Sequence, residues 1–321
     1  MKIAVILITY NHQKYIYAAL EGLRNQSVQP DEVVIADDCS TDDTQNIIYE
    51  YVKKYSLENR WQLFFNPKNK GVNLNLQDAI DQTISEIIVP MSGDDISLPN
   101  RCEVALNLFA KHPNLHIVST SIFKIDENSN KIGEIKYNDE LFHDVKKIII
   151  KGTPNVFPAG QNWKRSVFDK FGKLPINVPN EDDEITFRGI ADHGIFCSSV
   201  KTLSYRIHQH SFSSWLRNDQ SEQEYFRDFI KDMPIRGLHM KNWKNILIKL
   251  NHPEKSKLLE LLSQKEELYQ FLEVIEESNF ISRIKFLFRV KKCLGLREFY
   301  YLLLGRFGVL SWRRVKKILR K

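Results

Sequence analysis

The chain has 321 residues, a formal net charge of +6 and a hydrophobic content of 42%, which is enough apolar sequence for one large domain or two smaller ones. No stretch of about 18 uncharged apolar residues occurs, so the sequence contains no plain transmembrane helix. The four cysteines are widely spaced without a metal-type pairing, which favours reduced thiols in a cytoplasmic protein.

Apolar runs and amphipathic segments alternate through the first 125 residues. Strands are predicted at 2–9, 32–38, 61–65, 86–90 and 115–125, and helices at 13–25, 40–55, 74–84 and 98–111. This order predicts an α/β fold with a mostly parallel sheet flanked by helices. Ligands of such sheets bind at the carboxyl ends of the strands, so the residues that follow strands are the first candidates for a functional site.

Polar side chains follow three of these strands. The clusters are Thr9-Tyr10-Asn11, Asp37-Asp38 and Ser92-Gly93-Asp94-Asp95. Two adjacent carboxylates raise each other's pKa unless a positive charge or water intervenes. Asp94 and Asp95 therefore suggest a site for Mg²⁺ or Mn²⁺, which bind carboxylate and phosphate oxygens. The alternative is a turn that caps the helix beginning near Leu98.

The other two clusters also have two interpretations each. Asp37 and Asp38 could accept hydrogen bonds from a nucleotide base or a ribose, or could form a solvated turn before the next helix. Tyr10 could stack on a base or cover the edge of the core. No Gly-x-Gly-x-x-Gly motif and no Gly-Lys-Ser/Thr phosphate loop is present, which argues against a dinucleotide dehydrogenase or a P-loop enzyme.

A third acidic feature is the run Glu181-Asp182-Asp183-Glu184. Such a run is usually a solvated helix start, but one partly desolvated carboxylate could act as a general base. Residues 127–180 before it are rich in Asn, Lys, Gly and Pro, and residues 195–207 after it predict two short strands. Beyond these, His208 and His210 could be metal ligands, pH-sensitive contacts or surface residues.

Six segments, in the same order, resemble the family 2 glycosyltransferases of the GT-A (Rossmann-like) fold over about residues 2–215. The segments are Ile8–Asn11, Val34–Thr44, Asn69–Gly71, Ser92–Arg101 (the DXD region), Glu181–Arg188 and Tyr205–His208. The resemblance implies a catalytic domain over 1–216, and residues 217–321 lie outside it as a predicted helical, basic region. It also implies inverting, metal-dependent transfer from a nucleotide-sugar, most simply a UDP-sugar, in bacterial surface polysaccharide synthesis such as that of O-antigen. The acceptor would be a glycan or a polyprenyl-diphosphate-linked sugar.

The resemblance also implies a role for each matching residue. The nucleotide-sugar would contact Thr9, Tyr10, Asn11, Asp37, Asp38 and Asp94. Asp95 would be the main ligand of Mn²⁺ or Mg²⁺, with His208 assisting at the metal or the diphosphate. Asp182 would be the general base, with Glu181 and Asp183 as its alternatives.

One departure from the family pattern is Ser92, which stands where an additional acidic residue is often found. Two other functions remain open. A nucleotidyltransferase can share this fold, but its Gly-rich loop with Arg after the first strand is absent. A catalytically inactive homologue that binds sugar or membrane is the second alternative.

Residues 217–321 are predicted to be helical, and their charge is uneven. From Arg283 to the end the chain has 13 Lys and Arg residues and one acid, Glu298. Such a segment suggests a polyanionic partner. Aromatic and basic residues mixed over 283–321 favour peripheral contact with the inner face of the cell membrane; the alternative is a helical cap with its basic residues in water. No nucleic-acid-binding motif is present, so no nucleic acid partner is expected.

Overall fold

The computed structural model describes residues 1–154, 156–179, 181–208 and 221–311. Contacts divide the chain into two compact units, one formed by residues 1–143 with 156–214 and the other by residues 144–155 with 215–321. The first unit contains the sheet and the second is helical.

The first unit contains ten strands and six helices among the described residues. The strands are β1 (Ile3–Thr9), β2 (Glu32–Asp37), β3 (Trp61–Phe65), β4 (Ile87–Ser92), β5 (Ile96–Ser97), β6 (Ile117–Ile125), β7 (Lys131–Ile135), β8 (Glu140–Phe142), β9 (Gln161–Lys164) and β10 (Ile195–Arg206). The helices are α1 (Ile16–Arg24), α2 (Thr44–Lys54), α3 (Val72–Asp81), α4 (Arg101–Lys111), α6 (Ser166–Phe171) and α7 (Asp182–Asp192), while α5 (Val145–Lys151) belongs to the second unit.

The strands form one mixed sheet in the order β3-β2-β1-β4-β9-β6-β10-β5, with β7 beside β6 and β8 beside β10. The first four strands of this order pair in parallel, and β10 is parallel to β6. β9 runs antiparallel between β4 and β6. The α/β prediction of a sheet flanked by helices is confirmed. Apart from the two-residue β5, which pairs antiparallel with β10, the antiparallel strands β7, β8 and β9 come from the region after residue 126, where the sequence pattern is weakest.

The position of β1 in the middle of the parallel strands explains its composition. Six of its seven residues are buried, because helices cover both faces of the strand. Leu7 lies in an apolar cluster with Leu20 of α1, Ile48 of α2 and Phe109 of α4. Burying one such leucine stabilises the fold by about 2 kcal/mol.

The register of β1 brings the three polar clusters to one edge of the sheet. Thr9 lies opposite Asp37 on β2, and Ile8 lies opposite Ser92 on β4. Just beyond the strands, the backbone N–H of Asp38 donates to the carbonyl oxygen of Thr9 over 2.9 Å. The backbone pairing alone therefore brings the three polar clusters next to one another.

Later segments differ from their predictions in detail. The two short strands expected over 195–207 are one strand, β10, whose pairing with β6 is irregular between Ser198 and Leu203. These irregularities interrupt the alternation that a continuous strand would show. The loosely patterned residues 127–180 contribute β7, β8, β9, α5 and α6.

Among its described residues, the helical unit contains α5 and four further α-helices, α8 (Glu222–Ile248), α9 (Lys255–Glu273), α10 (Phe280–Val290) and α11 (Leu296–Leu304). Trp243 of α8 is fully buried within it. Lys265 of α9, which is also fully buried, donates to the carbonyl oxygen of Ile150 over 2.6 Å and lies 3.3 Å from a carboxylate oxygen of Glu298. This contact attaches α5 to the helical unit. In the part of the chain that the structure describes, no helix combines the length and the apolar character needed to cross a bilayer.

Candidate active site

Asp38 organises the loop that follows β3. Its carboxylate accepts the backbone N–H groups of Lys70 and Gly71, over 2.9 and 2.8 Å, and the side-chain amide of Asn66 over 3.1 Å. Gly71 has a φ of +83°, which favours glycine at that position. Asp38, as a buried carboxylate, therefore holds the 69–71 segment against the end of β2.

Asp37 and Asn11 organise the loop that follows β2. The buried Asp37 carboxylate accepts the backbone N–H of Ser40 over 2.8 Å, the Ser40 hydroxyl and the side-chain amide of Gln45. Asn11 donates its own N–H to Ser40 Oγ over 2.8 Å and accepts the N–H of Thr41 over 2.8 Å. Tyr10, next to this network, is 44% exposed, so its ring is available to a ligand.

Two histidines flank Asp94 after β4. Nε2 of His208 lies 3.0 Å from Oδ2 of Asp94, and Nε2 of His12 lies 3.9 Å from the same oxygen. His12 is oriented by Thr9, whose Oγ1 is 3.1 Å from the His12 Nδ1. Burial alone would raise the pKa of Asp94, but its hydrogen bond to His208, the charge of His12 and the Ser92 hydroxyl lower that pKa below the ordinary value. The pair of one carboxylate and one imidazole is a donor set that a divalent cation can use.

Asp95, the next residue, is buried and contacts the end of β10. Its Oδ1 accepts the backbone N–H of Arg206 over 2.9 Å, and the Arg206 guanidinium donates to the carbonyl oxygen of Asp94 over 2.8 Å. Burial and the charge of Asp94 raise the pKa of Asp95 well above its ordinary value, although Arg206 and Arg101 act in the opposite direction. Asp95 thus joins the turn after β4 to the end of β10.

Arg101 supports the same turn from the side of α4. It is fully buried and donates to the carbonyl oxygens of Pro90, over 2.6 Å, and Ala159, over 3.2 Å. Burial lowers the pKa of the Arg101 guanidinium to about 10, with the charge of Asp95 partly opposing this. The guanidinium therefore ties the end of β4 to the turn before β9.

The acidic run forms the first turn of α7. Glu181 precedes the helix and is buried, whereas Asp182 and Asp183 are partly exposed. Burial raises the pKa of Asp182 well above its ordinary value, and the charges of Glu181 and Asp183 raise it further. Burial also raises the pKa of Glu181. A carboxylate of raised pKa is a stronger base than a solvated one, so this turn can accept a proton from a hydroxyl group.

The sequence prediction omitted three residues of this site, namely His12, Arg101 and Arg206. His12 follows the Thr9–Asn11 cluster directly, which is the signal that could have identified it. Arg101 and Arg206 lie inside two of the family-like segments, but no role was assigned to them. His210, a possible ligand beside His208 in the sequence, lies outside the described residues.

A second cluster of possible metal ligands lies at the other end of α7. It consists of His116, Asp192 and His193, and it is the only place among the described residues where three possible ligands of this kind lie close together. The ammonium of Lys170 lies 2.7 and 2.8 Å from the two carboxylate oxygens of Asp192, and Nε2 of His116 lies 3.1 Å away. The carboxylate is already neutralised by Lys170, so the cluster is explained as a structural ion pair.

The family model "Glycosyl transferase family 2" matches residues 4–172. EpsE, a Bacillus subtilis protein named as a glycosyltransferase, is 31% identical over 126 residues, and the match covers 39% of this chain and 45% of EpsE, less than half of that relative's length. The chondroitin synthase of Escherichia coli is 33% identical over 130 residues, covering 40% of this chain and 18% of that protein.

Solved structures resemble the whole chain in fold. TarS of S. aureus, residues 1–349 in complex with UDP-GlcNAc, aligns with 100% of this chain and 92% of its own at a TM-score of 0.63 and 18% identity. The mannosyltransferase PcManGT of Pyrobaculum calidifontis, in complex with GDP-Man and Mn²⁺, aligns with 100% of this chain and 88% of its own at a TM-score of 0.52 and 17% identity. The predicted GT-A fold is thereby confirmed.

Proposed function

The chain belongs to glycosyl transferase family 2 and is a glycosyltransferase, and we propose that it moves a sugar from a nucleotide-sugar, most simply a UDP-sugar, to an acceptor hydroxyl with inversion at the anomeric carbon. One observation carries this proposal. The register of β1, β2 and β4 places Asp37 and Asp38, which could bind a nucleotide, at the same edge of the sheet as the Asp94–His208 pair. TarS, which binds UDP-GlcNAc, and PcManGT, which binds GDP-Man, share the fold and support the donor class.

The proposed donor site comprises the residues predicted from the sequence. They are Thr9, Tyr10, Asn11, Asp37, Asp38 and Asp94. Asp37 and Asp38 shape the loops around the nucleotide, and Tyr10 offers an exposed ring for stacking on the base. Thr9 acts through His12, because it orients that imidazole toward Asp94.

The proposed metal ligands are Asp94 and His208, with Mn²⁺ or Mg²⁺ as the ion. The two side chains lie 3.0 Å apart and offer one oxygen and one nitrogen, which fits an ion that takes its remaining ligands from phosphate and water. Asp95, expected to be the main ligand, has one oxygen engaged by the Arg206 N–H, and we assign it to orienting Asp94 instead. A divalent ion, when bound, would neutralise charge on the leaving diphosphate.

The proposed general base is Asp182, with Glu181 and Asp183 as its alternatives. Its raised pKa makes it able to remove a proton from an acceptor hydroxyl, while that oxygen attacks the anomeric carbon opposite the diphosphate. The buried Glu181 supports this role, because its negative charge raises the proton affinity of Asp182.

We also propose that residues 1–216 form the catalytic domain and residues 217–321 a helical region. The acceptor is proposed to be a glycan or a polyprenyl-diphosphate-linked sugar of a bacterial surface polysaccharide. This places the reaction at the cytoplasmic face of the cell membrane, because a polyprenyl carrier is anchored there.

The test is nucleotide release by the full chain with a panel of UDP- and GDP-sugars in Mn²⁺, with and without EDTA. Metal-dependent release of UDP or GDP with one donor is expected. Release of inorganic diphosphate in a parallel assay that supplies a nucleoside triphosphate and a sugar 1-phosphate would instead indicate a nucleotidyltransferase. If no donor is turned over and calorimetry detects no binding of UDP with Mn²⁺, the proposed function fails and an inactive homologue remains.

A further inference from the structure

Helix α10 packs into the helical unit through one side only. Phe286 stacks on Phe271 of α9, with ring centroids 4.2 Å apart, and Val290 is fully buried. On the opposite side, Ile281 is 65% exposed and Phe288 is 67% exposed. These two residues are seven positions apart, which is about two turns, so they share a helix face, and Lys285 lies between them on that face.

Helix α11 has a similar stripe. Leu296, Tyr300 and Leu304 are spaced four residues apart, so they lie along one side of the helix. All three are exposed, and Leu296 is 67% exposed. Large apolar side chains exposed in a regular stripe on two neighbouring helices are unusual unless another surface covers them.

The charge of this region is positive on the outside. Glu298, the one acid after Arg283 in the sequence, is buried beside Lys265 and Arg297, so it contributes little negative charge to the surface. Glu267 and Glu260 of α9 pair with Arg289 and Lys292, each over 3.0 Å. Among the described residues, these pairs leave Lys285 and Lys291 without a carboxylate within 4 Å.

We propose that the outward faces of α10 and α11 form a docking surface for an anionic lipid bilayer. Basic side chains placed among exposed Phe, Ile and Leu suit the boundary between lipid headgroups and acyl chains. Helix α10, with 11 residues, is about 16 Å long and therefore too short to cross a hydrocarbon core of about 30 Å, so the proposed contact has it lying along the interface.

Charge and composition favour a bilayer over the other occupants. A second copy of this surface would place basic residues against basic residues, which disfavours a symmetric dimer. A nucleic acid would use the positive charge but would leave Ile281 and Phe288 in contact with phosphates and water. An anionic bilayer uses both features. The docking does not require the transfer reaction, so it is tested separately.

The experiment is co-sedimentation of the full chain with vesicles of phosphatidylcholine alone or with about 30% phosphatidylglycerol. The double variant Ile281→Ser/Phe288→Ser removes the apolar stripe, and Lys285→Glu reverses the charge within it. Ile84→Ser is the control, because Ile84 is an isoleucine of the first unit that is even more exposed than Ile281, at 81%. Thermal unfolding of each variant checks that the fold is retained.

We expect binding to the anionic vesicles and a fall of about tenfold or more in the partition coefficient for the double variant. Lys285→Glu should weaken binding several-fold, Ile84→Ser should bind like the original chain, and raised salt should weaken binding in all of them. The proposal is overturned if the original chain does not bind the anionic vesicles, or if the double variant binds them as well as the control does. Concentration-dependent dimers that the double variant abolishes would identify a second copy as the occupant instead.

Discussion

Replacing Asp95 and Asp94 one at a time tests the structural role proposed for Asp95 against the ligand role proposed for Asp94. The side chain of Asp95 accepts the Arg206 N–H and lies near the buried guanidinium of Arg101. Asp95→Ala removes an acceptor from a buried N–H and the carboxyl group that lies beside two buried arginines. Asp94→Asn keeps the shape of its side chain and changes its ability to bind a cation.

The magnitudes expected for the two variants differ. Removing one partner from a buried charged network costs about 3–5 kcal/mol, so Asp95→Ala should lower the midpoint of thermal unfolding by roughly 10 °C. Asp94→Asn loses the charge in its contact with His208 and should cost about 1 kcal/mol. In the presence of UDP, however, it should weaken Mn²⁺ binding on the order of 100-fold, because a metal ligand is lost.

Thermal unfolding without metal and titration calorimetry with Mn²⁺ and UDP measure the two effects separately. Asp95→Asn is an intermediate control, because it keeps an acceptor oxygen for the Arg206 N–H. Loss of turnover alone does not distinguish the structural role from the metal-binding role, since both variants are expected to lose turnover. The reasoning is refuted if Asp95→Ala keeps its stability and loses Mn²⁺ affinity while Asp94→Asn still binds the ion.

Three other predictions concern the base, the turn after β4 and the far end of α7. Burial and the charge of Glu181 raise the pKa of Asp182, so kcat/KM should fall on acidification at a pH above the ordinary carboxyl range. Glu181→Gln should move this acid limb to lower pH, and Asp182→Asn should abolish turnover but retain UDP binding in calorimetry. An unshifted pH profile in Glu181→Gln would contradict the coupling. A Cβ on Gly93 would lie 2.6 Å from Thr9 Oγ1 and 2.9 Å from His12 Nδ1, so Gly93→Ala should lose about 1–3 kcal/mol in urea unfolding. Gly133→Ala is its control, because a Cβ there meets only Lys124 at 3.9 Å, and equal losses in both variants would argue against the close packing. Burial opposes the shift at Asp192, but hydrogen bonds from His116 and Lys170 lower its pKa to about 2, so this carboxylate stabilises the fold above about pH 4 and loses that contribution as the pH falls toward 2. Asp192→Asn should therefore cost about 1 kcal/mol in urea unfolding at pH 7, after allowance for screening, and less at pH 3, whereas a pH-independent loss would exclude the ion pair.

The sequence was sufficient to predict the parallel part of the sheet, because its strands are covered on both faces and appear as continuous apolar runs. The same pattern placed the three polar clusters at strand ends. It could not predict β9, whose antiparallel insertion between β4 and β6 depends on pairing between segments about 45 to 75 residues apart.

Within the site, the sequence identified residue types but not the direction in which each side chain points. Asp94 and Asp95 are adjacent and chemically equal in the sequence. Only the return of β10 brings His208 to one of them and the Arg206 backbone to the other. His12 was missed for a related reason, because its contact with Asp94 spans two separate strand ends.

The attachment of α5 to the helical unit limits where the chain can be truncated and which segments can be exchanged between related proteins. Val145, Ile148 and Ile149 of α5 are buried, and Lys265 of α9 holds the carbonyl oxygen of Ile150. Because α5 lies between two parts of the first unit in the chain, removing residues 215–321 would leave its apolar face in water within an otherwise intact first unit. An exchange of C-terminal regions between relatives would succeed only if residues 144–155 were exchanged with them, so we expect the two segments to be inherited together.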